Sequence, residues 1–232
     1  KDIFVYLRPE SNGVLAESTI LKVVQHCSAY RKQLFLVYMA NVPGDFIAHH
    51  KLVERHYAVK LAFAVHGGNA FTPSMRRRFE RNFGESFEKA APIGAFQALR
   101  ELNVPAEDLF SVWVPESRLL ILNGQTIKRV WGRYIVNYDI PALIHKNNAE
   151  TDIAVMLFRT HTDYDYFSEL TREMKDAVVQ EGLMSPGRHF TRVFHYSKSP
   201  FEQALDARSY LFDATGGFLG VEASSFGRYW RE

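Results

Sequence analysis

A chain of 232 residues, 47% hydrophobic and 23% charged, is long enough to bury a core and fits one large domain or a domain carrying a substantial insertion. A formal net charge of +2 supplies no global field to recruit nucleic acid or an anionic membrane. The single cysteine, Cys27, excludes an intramolecular disulfide and points to a reducing compartment, so a cytoplasmic location is expected. No apolar run approaches the roughly 18 residues that span a bilayer, and no signal-peptide pattern opens the chain, so no membrane partner is expected.

In chain order, Ile3 to Leu7 reads as a strand closed by the turn formers between Arg8 and Gly13. Leu15, Ile20, Val23, Val24 and Cys27 follow helical spacing up to about Tyr30, and Leu34 to Met39 reads as a second strand. Pro43-Gly44-Asp45 then starts a helix to about His56, with Asp45 as cap and Phe46, Ile47, Leu52 and Val53 on one side. The pattern changes after Ala64 to Gly-rich and Arg-rich pieces, a helix-like stretch from Phe87 to Leu102, and a hairpin in which Leu119–Leu122 and Ile127–Val136 flank the turn signal Asn123-Gly124. Ile153–Phe158 suits a central strand, and Tyr166–Val179 has helical periodicity through Phe167, Leu170, Met174 and Val178. A last strand, Phe190–Phe194, delivers His195 at its end.

The clearest helix start follows at once, with Ser199 as N-cap, Pro200 as first helical residue and Glu202 as the returning arm of a capping box. Phe201, Ala204, Leu205, Leu211 and Phe212 should turn inward, leaving Asp206 about two turns along. From Gly216 onward the tail reads as an irregular wrap. The whole is an α+β arrangement: a ferredoxin-like α/β sandwich with a central antiparallel sheet, built from residues 1–65 and 149–232 and interrupted by an inserted subdomain at 66–148.

Three separated segments carry a resemblance. Arg8-Pro9-Glu10 with Gly13, His56-Tyr57 within Leu52–Lys60, and His195-Tyr196-Ser197-Lys198-Ser199 resemble, in the same order, the Lys-Pro-Asp, His-Tyr and His-Gly-Ser-Asp-Ser segments of the nucleoside diphosphate kinase family. The resemblance covers residues 1–65 and about 151–213. It implies a transferase in which His195 takes the terminal phosphoryl group of a nucleoside triphosphate as phosphohistidine and passes it to a diphosphate, with Mg²⁺ accompanying the nucleotide. It also implies that Asp206 orients the imidazole, that Ser197 supports the catalytic loop, and that Arg8, Tyr57, Arg172, Arg188 and Arg192 contact the nucleotide and its phosphates.

The departures bear on activity. Arg8 replaces a lysine, Arg192 an asparagine and Lys198 an acidic residue, Asp206 is shorter than the family's glutamate, and Pro186-Gly187-Arg188 is at most a trace of the family's threonine-arginine loop. The insertion falls where the family grips the nucleotide. The alternative reading is therefore a catalytically inactive nucleotide-sensing or protein-interaction module, with a homo-oligomer or protein partner compatible with either.

Other signals are weaker. His49-His50 with Asp45 or Glu54 lacks the further ligands a metal needs, so no dedicated metal site is expected. Arg76-Arg77-Arg78 and Arg81, interleaved with Phe79 and Phe83, are diluted by Glu80 and Glu85 and read as a solvated helix face, so no nucleic-acid partner is expected. Asp163, Asp165 and Glu169 form an acidic cluster without an assigned use, and no nucleophile elbow or phosphate-binding glycine loop is present.

Overall fold

A computed structural model describes residues 1–27, 33–161, 167–184, 193–197 and 199–231. The chain divides into two compact units, Lys1–Leu52 with Asn147–Glu232, and Val53–Lys146. Residues 53–65, assigned above to the core, therefore group with the inserted unit.

The first unit holds β1 (Asp2–Leu7), α1 (Val14–His26), β2 (Leu34–Val42), α2 (Gly44–His49), β7 (Ile153–Thr160), α10 (Phe167–Gln180), β8 (Phe194–Tyr196), α11 (Pro200–Tyr210) and α12 (Ser225–Arg231), with intervening elements in the second unit. Its sheet has the order β2-β7-β1-β8, with every pairing antiparallel. The fold is mixed α+β.

Strand alternation decides what each face carries. Ile3, Val5 and Leu7 of β1 face one side, where Ile20 and Val24 of α1 and Leu170, Met174 and Val178 of α10 complete a core with Ala154, Met156, Phe158 and Phe194. Phe4 and Tyr6 face the other side and meet Tyr210 of α11, with ring centroids 6.2 and 4.9 Å away. Helices thus cover both faces, α1 and α10 on one and α11 on the other.

The helix expected from Pro43 to His56 is two pieces, α2 and α3 (Leu52–His56), broken at Lys51, whose φ is +50°. Pro43, not Asp45, stands at the N-cap, and the Gly44 amide donates to Asp152 Oδ1 at 2.9 Å while Asp45 accepts from the adjacent Phe46 amide. The tail is more regular than its composition suggests. Asp2, buried at the end of β1, accepts from Arg159 Nε and Nη2 at 2.8 and 3.2 Å and from the Ser225 amide and hydroxyl at 2.6 and 2.7 Å, which ties the start of α12 to the sheet.

The second unit contains α4 (Ala58–His66), α5 (Pro73–Phe83), α6 (Phe87–Ala90), β3 (Ile93–Gly94), α7 (Ala95–Leu102), α8 (Ala106–Ser111), β4 (Leu119–Leu122), β5 (Gln125–Val130), β6 (Arg133–Val136) and α9 (Ile140–Lys146). Its strands form their own sheet, β3-β6-β5-β4, and none of them joins the first sheet. The stretch from Phe87 to Leu102 is not one helix. Pro92 lacks an amide donor and Ala91 is left-handed at φ +40°, so α6 ends and Ile93-Gly94 pairs with β6 before α7 begins. Gly94 is required there, because a Cβ would stand 2.2 Å from the Ala64 carbonyl oxygen. The Asn123-Gly124 turn joins β4 and β5 as expected, both residues at positive φ.

No helix among the described residues is long and apolar enough to cross a membrane.

Candidate active site around His195

His195 lies in the middle of β8 rather than after a strand, directly opposite Tyr6 in the β1–β8 pairing. Alternation puts Phe194 and Tyr196 on the α1/α10 face and turns His195 and Ser197 to the face covered by α11. The Ser197 amide, donating to the Phe4 carbonyl at 3.1 Å, holds the segment against β1.

The helix that follows starts as its sequence dictates. The Ser199 hydroxyl accepts from the Glu202 amide at 3.2 Å and Pro200 is the first helical residue. Its inward face is the reverse of the expected one. Gln203, Asp206, Ala207 and Tyr210 are buried, whereas Phe201 is 70% and Leu205 54% exposed. The polar face turns inward because its groups find partners: the Gln203 side-chain amide donates to the Asp2 carbonyl, and Asp206 meets His195 and Ser197.

Asp206 is therefore the centre of a three-residue constellation. Its Oδ2 accepts a short hydrogen bond from the Ser197 hydroxyl and lies 3.4 Å from His195 Nε2, long for an N–H···O bond. Asp206 and Ser197 are almost completely buried, while 22% of the His195 side chain is exposed. With Nε2 facing the carboxylate, the neutral imidazole protonated on Nε2 has its lone pair on Nδ1.

Arg8 is brought to the same place through Tyr6. Its Nη1 donates to the Tyr6 hydroxyl at 3.2 Å, and the guanidinium lies 5.2 Å from the ring centroid. The opposite end of that contact is the imidazole, since Tyr6 and His195 stack at 4.6 Å with 25° between planes. The Arg8 amide donates to the Val193 carbonyl at 2.8 Å, continuing the strand pairing and fixing where the arginine leaves the sheet.

Of the expected phosphate contacts described in the first unit, Arg8 is brought to this face and Arg172 is not. Arg172 is exposed on α10, the helix that packs on the opposite face of the sheet from His195. Tyr57 belongs to the second unit, where it packs against the core cluster that contains Ala64, Ile93 and Ile140. Arg188 and Arg192 lie outside the described residues, as do Lys198, Pro186 and Gly187, and Asp163 and Asp165 of the acidic cluster. Among the described residues no group of three or more His, Cys, Asp or Glu is placed to hold a metal ion.

Sequence reasoning missed Tyr6, Gln203 and Tyr210. Tyr6 was legible as the polar member of the Phe4/Tyr6 face of β1, and Tyr210 as the residue one turn beyond Asp206. Comparison of the chain with family models, curated proteins and solved structures gives no match in any of the three.

Proposed function

We propose that the chain is a phosphotransferase of nucleoside diphosphate kinase type, in which His195 carries the phosphoryl group between a nucleoside triphosphate and a diphosphate. The observation that carries this reading is the buried Asp206 facing His195 Nε2 from a capped helix, an arrangement that fixes one tautomer and gives Nδ1 the lone pair for attack. Ser197 supports it by holding the second contact to the same carboxylate oxygen. The order of strands and helices in the first unit, β-α-β followed after the insertion by β-α-β, fits the ferredoxin-like sandwich that such a reading requires.

In the proposed reaction Nδ1 attacks the terminal phosphorus, the bond to the bridging oxygen breaks, and the nucleoside diphosphate leaves with that electron pair. A second diphosphate then takes the group by the reverse displacement. Asp206 holds the Nε2 proton and stabilises the charge the ring acquires, and Arg8 supplies positive charge beyond Tyr6. Magnesium would arrive with the nucleotide, held by phosphate oxygens and water; the His195 environment fits this, since its one buried carboxylate is engaged by the imidazole and Ser197. When bound, the ion would neutralise phosphate charge.

A second reading, a nucleotide-binding module without turnover, is favoured by one observation. Of the expected cations in described positions, Arg8 rests on Tyr6 and Arg172 stands on the far face of the sheet. Initial-rate kinetics with ATP and a second nucleoside diphosphate separate the two readings. The first gives parallel double-reciprocal lines, the signature of a covalent intermediate, and the second gives no transfer.

A further inference from the structure

The inserted unit carries thirteen Lys and Arg against nine Asp and Glu, a net charge of +4, so the rest of the chain is net −2. This asymmetry was hidden in the overall +2. Within the unit two hairpin turns of the same two-residue kind lie in succession. The first, Asn123-Gly124, has φ +50° and +77°; the second, Trp131-Gly132, has φ +50° and +73°. A two-residue hairpin with positive φ at both central positions calls for Asn-Gly or Asp-Gly. A bulky L residue adopts that conformation only at an energetic penalty, which marks Trp131 as held there for something other than the turn.

Trp131 is 48% exposed. A second tryptophan, Trp113, is 82% exposed. It lies in the connection from α8 to β4, which reaches the same end of the sheet, because Val112 accepts from the Lys128 ammonium at 2.9 Å and Leu119, just beyond Arg118, pairs with Lys128. Arg118 and Arg129 are exposed there without a carboxylate partner among the described residues, and Arg133 is only loosely paired, 3.6 Å from Glu101. Glu116 is the exposed carboxylate of this loop. Arg129 leads on to the α5 face of the sheet, lying over Tyr134 against Phe79 and Phe83, and α5 presents the exposed Arg77, Arg78 and Arg81.

We infer that this end of the inserted unit binds single-stranded nucleic acid, with Trp131 and Trp113 as stacking platforms for bases and Arg118, Arg129 and Arg133 as phosphate contacts. Exposed indoles near exposed arginines match a ligand that offers planar faces and regular negative charge together. Neither a purely apolar nor a purely anionic partner uses both.

The full chain would be titrated into a fluorescein-labelled oligothymidylate of about 20 nucleotides, following anisotropy and tryptophan quenching. The inference expects binding that weakens as salt rises. Trp131→Asn should weaken it about tenfold or more while leaving the melting temperature unchanged or higher, since Asn is the residue the turn prefers. Trp113→Ser should weaken it as well, and the pair Arg118→Glu and Arg129→Glu should reduce both affinity and salt dependence. The inference is overturned if the chain fails to bind the oligonucleotide at low salt, if Trp131→Asn and Trp113→Ser bind as wild type, or if polyglutamate competes with equal strength and quenches equally. Binding to phosphatidylserine vesicles in place of the oligonucleotide also overturns it and assigns the indoles to a lipid surface.

Discussion

Tyr6 lies flat against His195, ring centroids 4.6 Å apart, and accepts a hydrogen bond from Arg8 on its hydroxyl. One tyrosine therefore contacts both the imidazole face and the Arg8 guanidinium. We expect Tyr6→Phe to keep the stack and change unfolding free energy by less than about 1 kcal/mol, while Tyr6→Leu lowers it by about 2 kcal/mol. Urea denaturation of both variants checks this, and equal effects would remove the stack as an ordering element.

Asp206 Oδ2 meets both Ser197 and His195 in a buried position, so an amide there either offers them an uncharged oxygen or turns its NH2 group on two donors. Asp206→Asn should destabilise the chain by about 1 to 3 kcal/mol and slow phosphorylation of His195 on the order of a hundredfold or more. Asp206→Glu, the longer acid, should retain more of the rate than Asp206→Asn. Rapid-quench labelling of the three proteins gives the comparison.

Lys128 is a buried cation in the second unit, donating to the carbonyls of Leu109, Phe110 and Val112 at 3.2, 3.1 and 2.9 Å at the end of α8, with the Tyr138 ring 3.8 Å away. Burial pushes its ammonium down to about 8 from 10.5, with Asp139 opposing. Between those two values the unfolded chain binds the proton that the folded chain has released, so this group makes stability rise with pH across that window. Lys128→Met should abolish that rise relative to wild type in urea titrations between about pH 8 and 10; an unchanged slope would show that Lys128 does not titrate there.

Asp2 acts with the same sign in the acid range. Burial would raise its carboxyl, but the hydrogen bonds from Arg159 and Ser225 outweigh that and hold it below the usual carboxylate range. Its contribution is complete above the unfolded value and is lost as pH falls through the folded one. Asp2→Asn should flatten the acid limb of the stability curve below about pH 4 and loosen α12, which hydrogen exchange of the Ser225 amide would report.

The helix start at Ser199-Pro200 was legible because capping is local chemistry, and so were the central strand Ile153–Phe158 and the Asn123-Gly124 turn. The pairing of His195 with Asp206 was implied by the resemblance, with the cap fixing the helix that carries the acid. The inward face of α11 was not legible. Hydrophobic periodicity selects Phe201 and Leu205, whereas burial there is decided by hydrogen-bond partners on β8, 11 residues away, and on β1, 201 residues away in sequence. The same limit hid Tyr6, whose role depends on register with His195, and misplaced Arg172, which a strand-to-helix order cannot assign to a face. The break at Pro92 was local but was outweighed by the apolar run around it.

The central claim is that His195 carries a phosphoryl group. Incubating the full chain with ATP labelled at the terminal phosphate, with Mg²⁺, and assaying acid-labile, base-stable radioactivity on the protein tests it directly. The account expects label on wild type, none on His195→Ala, and discharge of the label when a nucleoside diphosphate is added. An unlabelled wild type, or label that persists in His195→Ala, would contradict it.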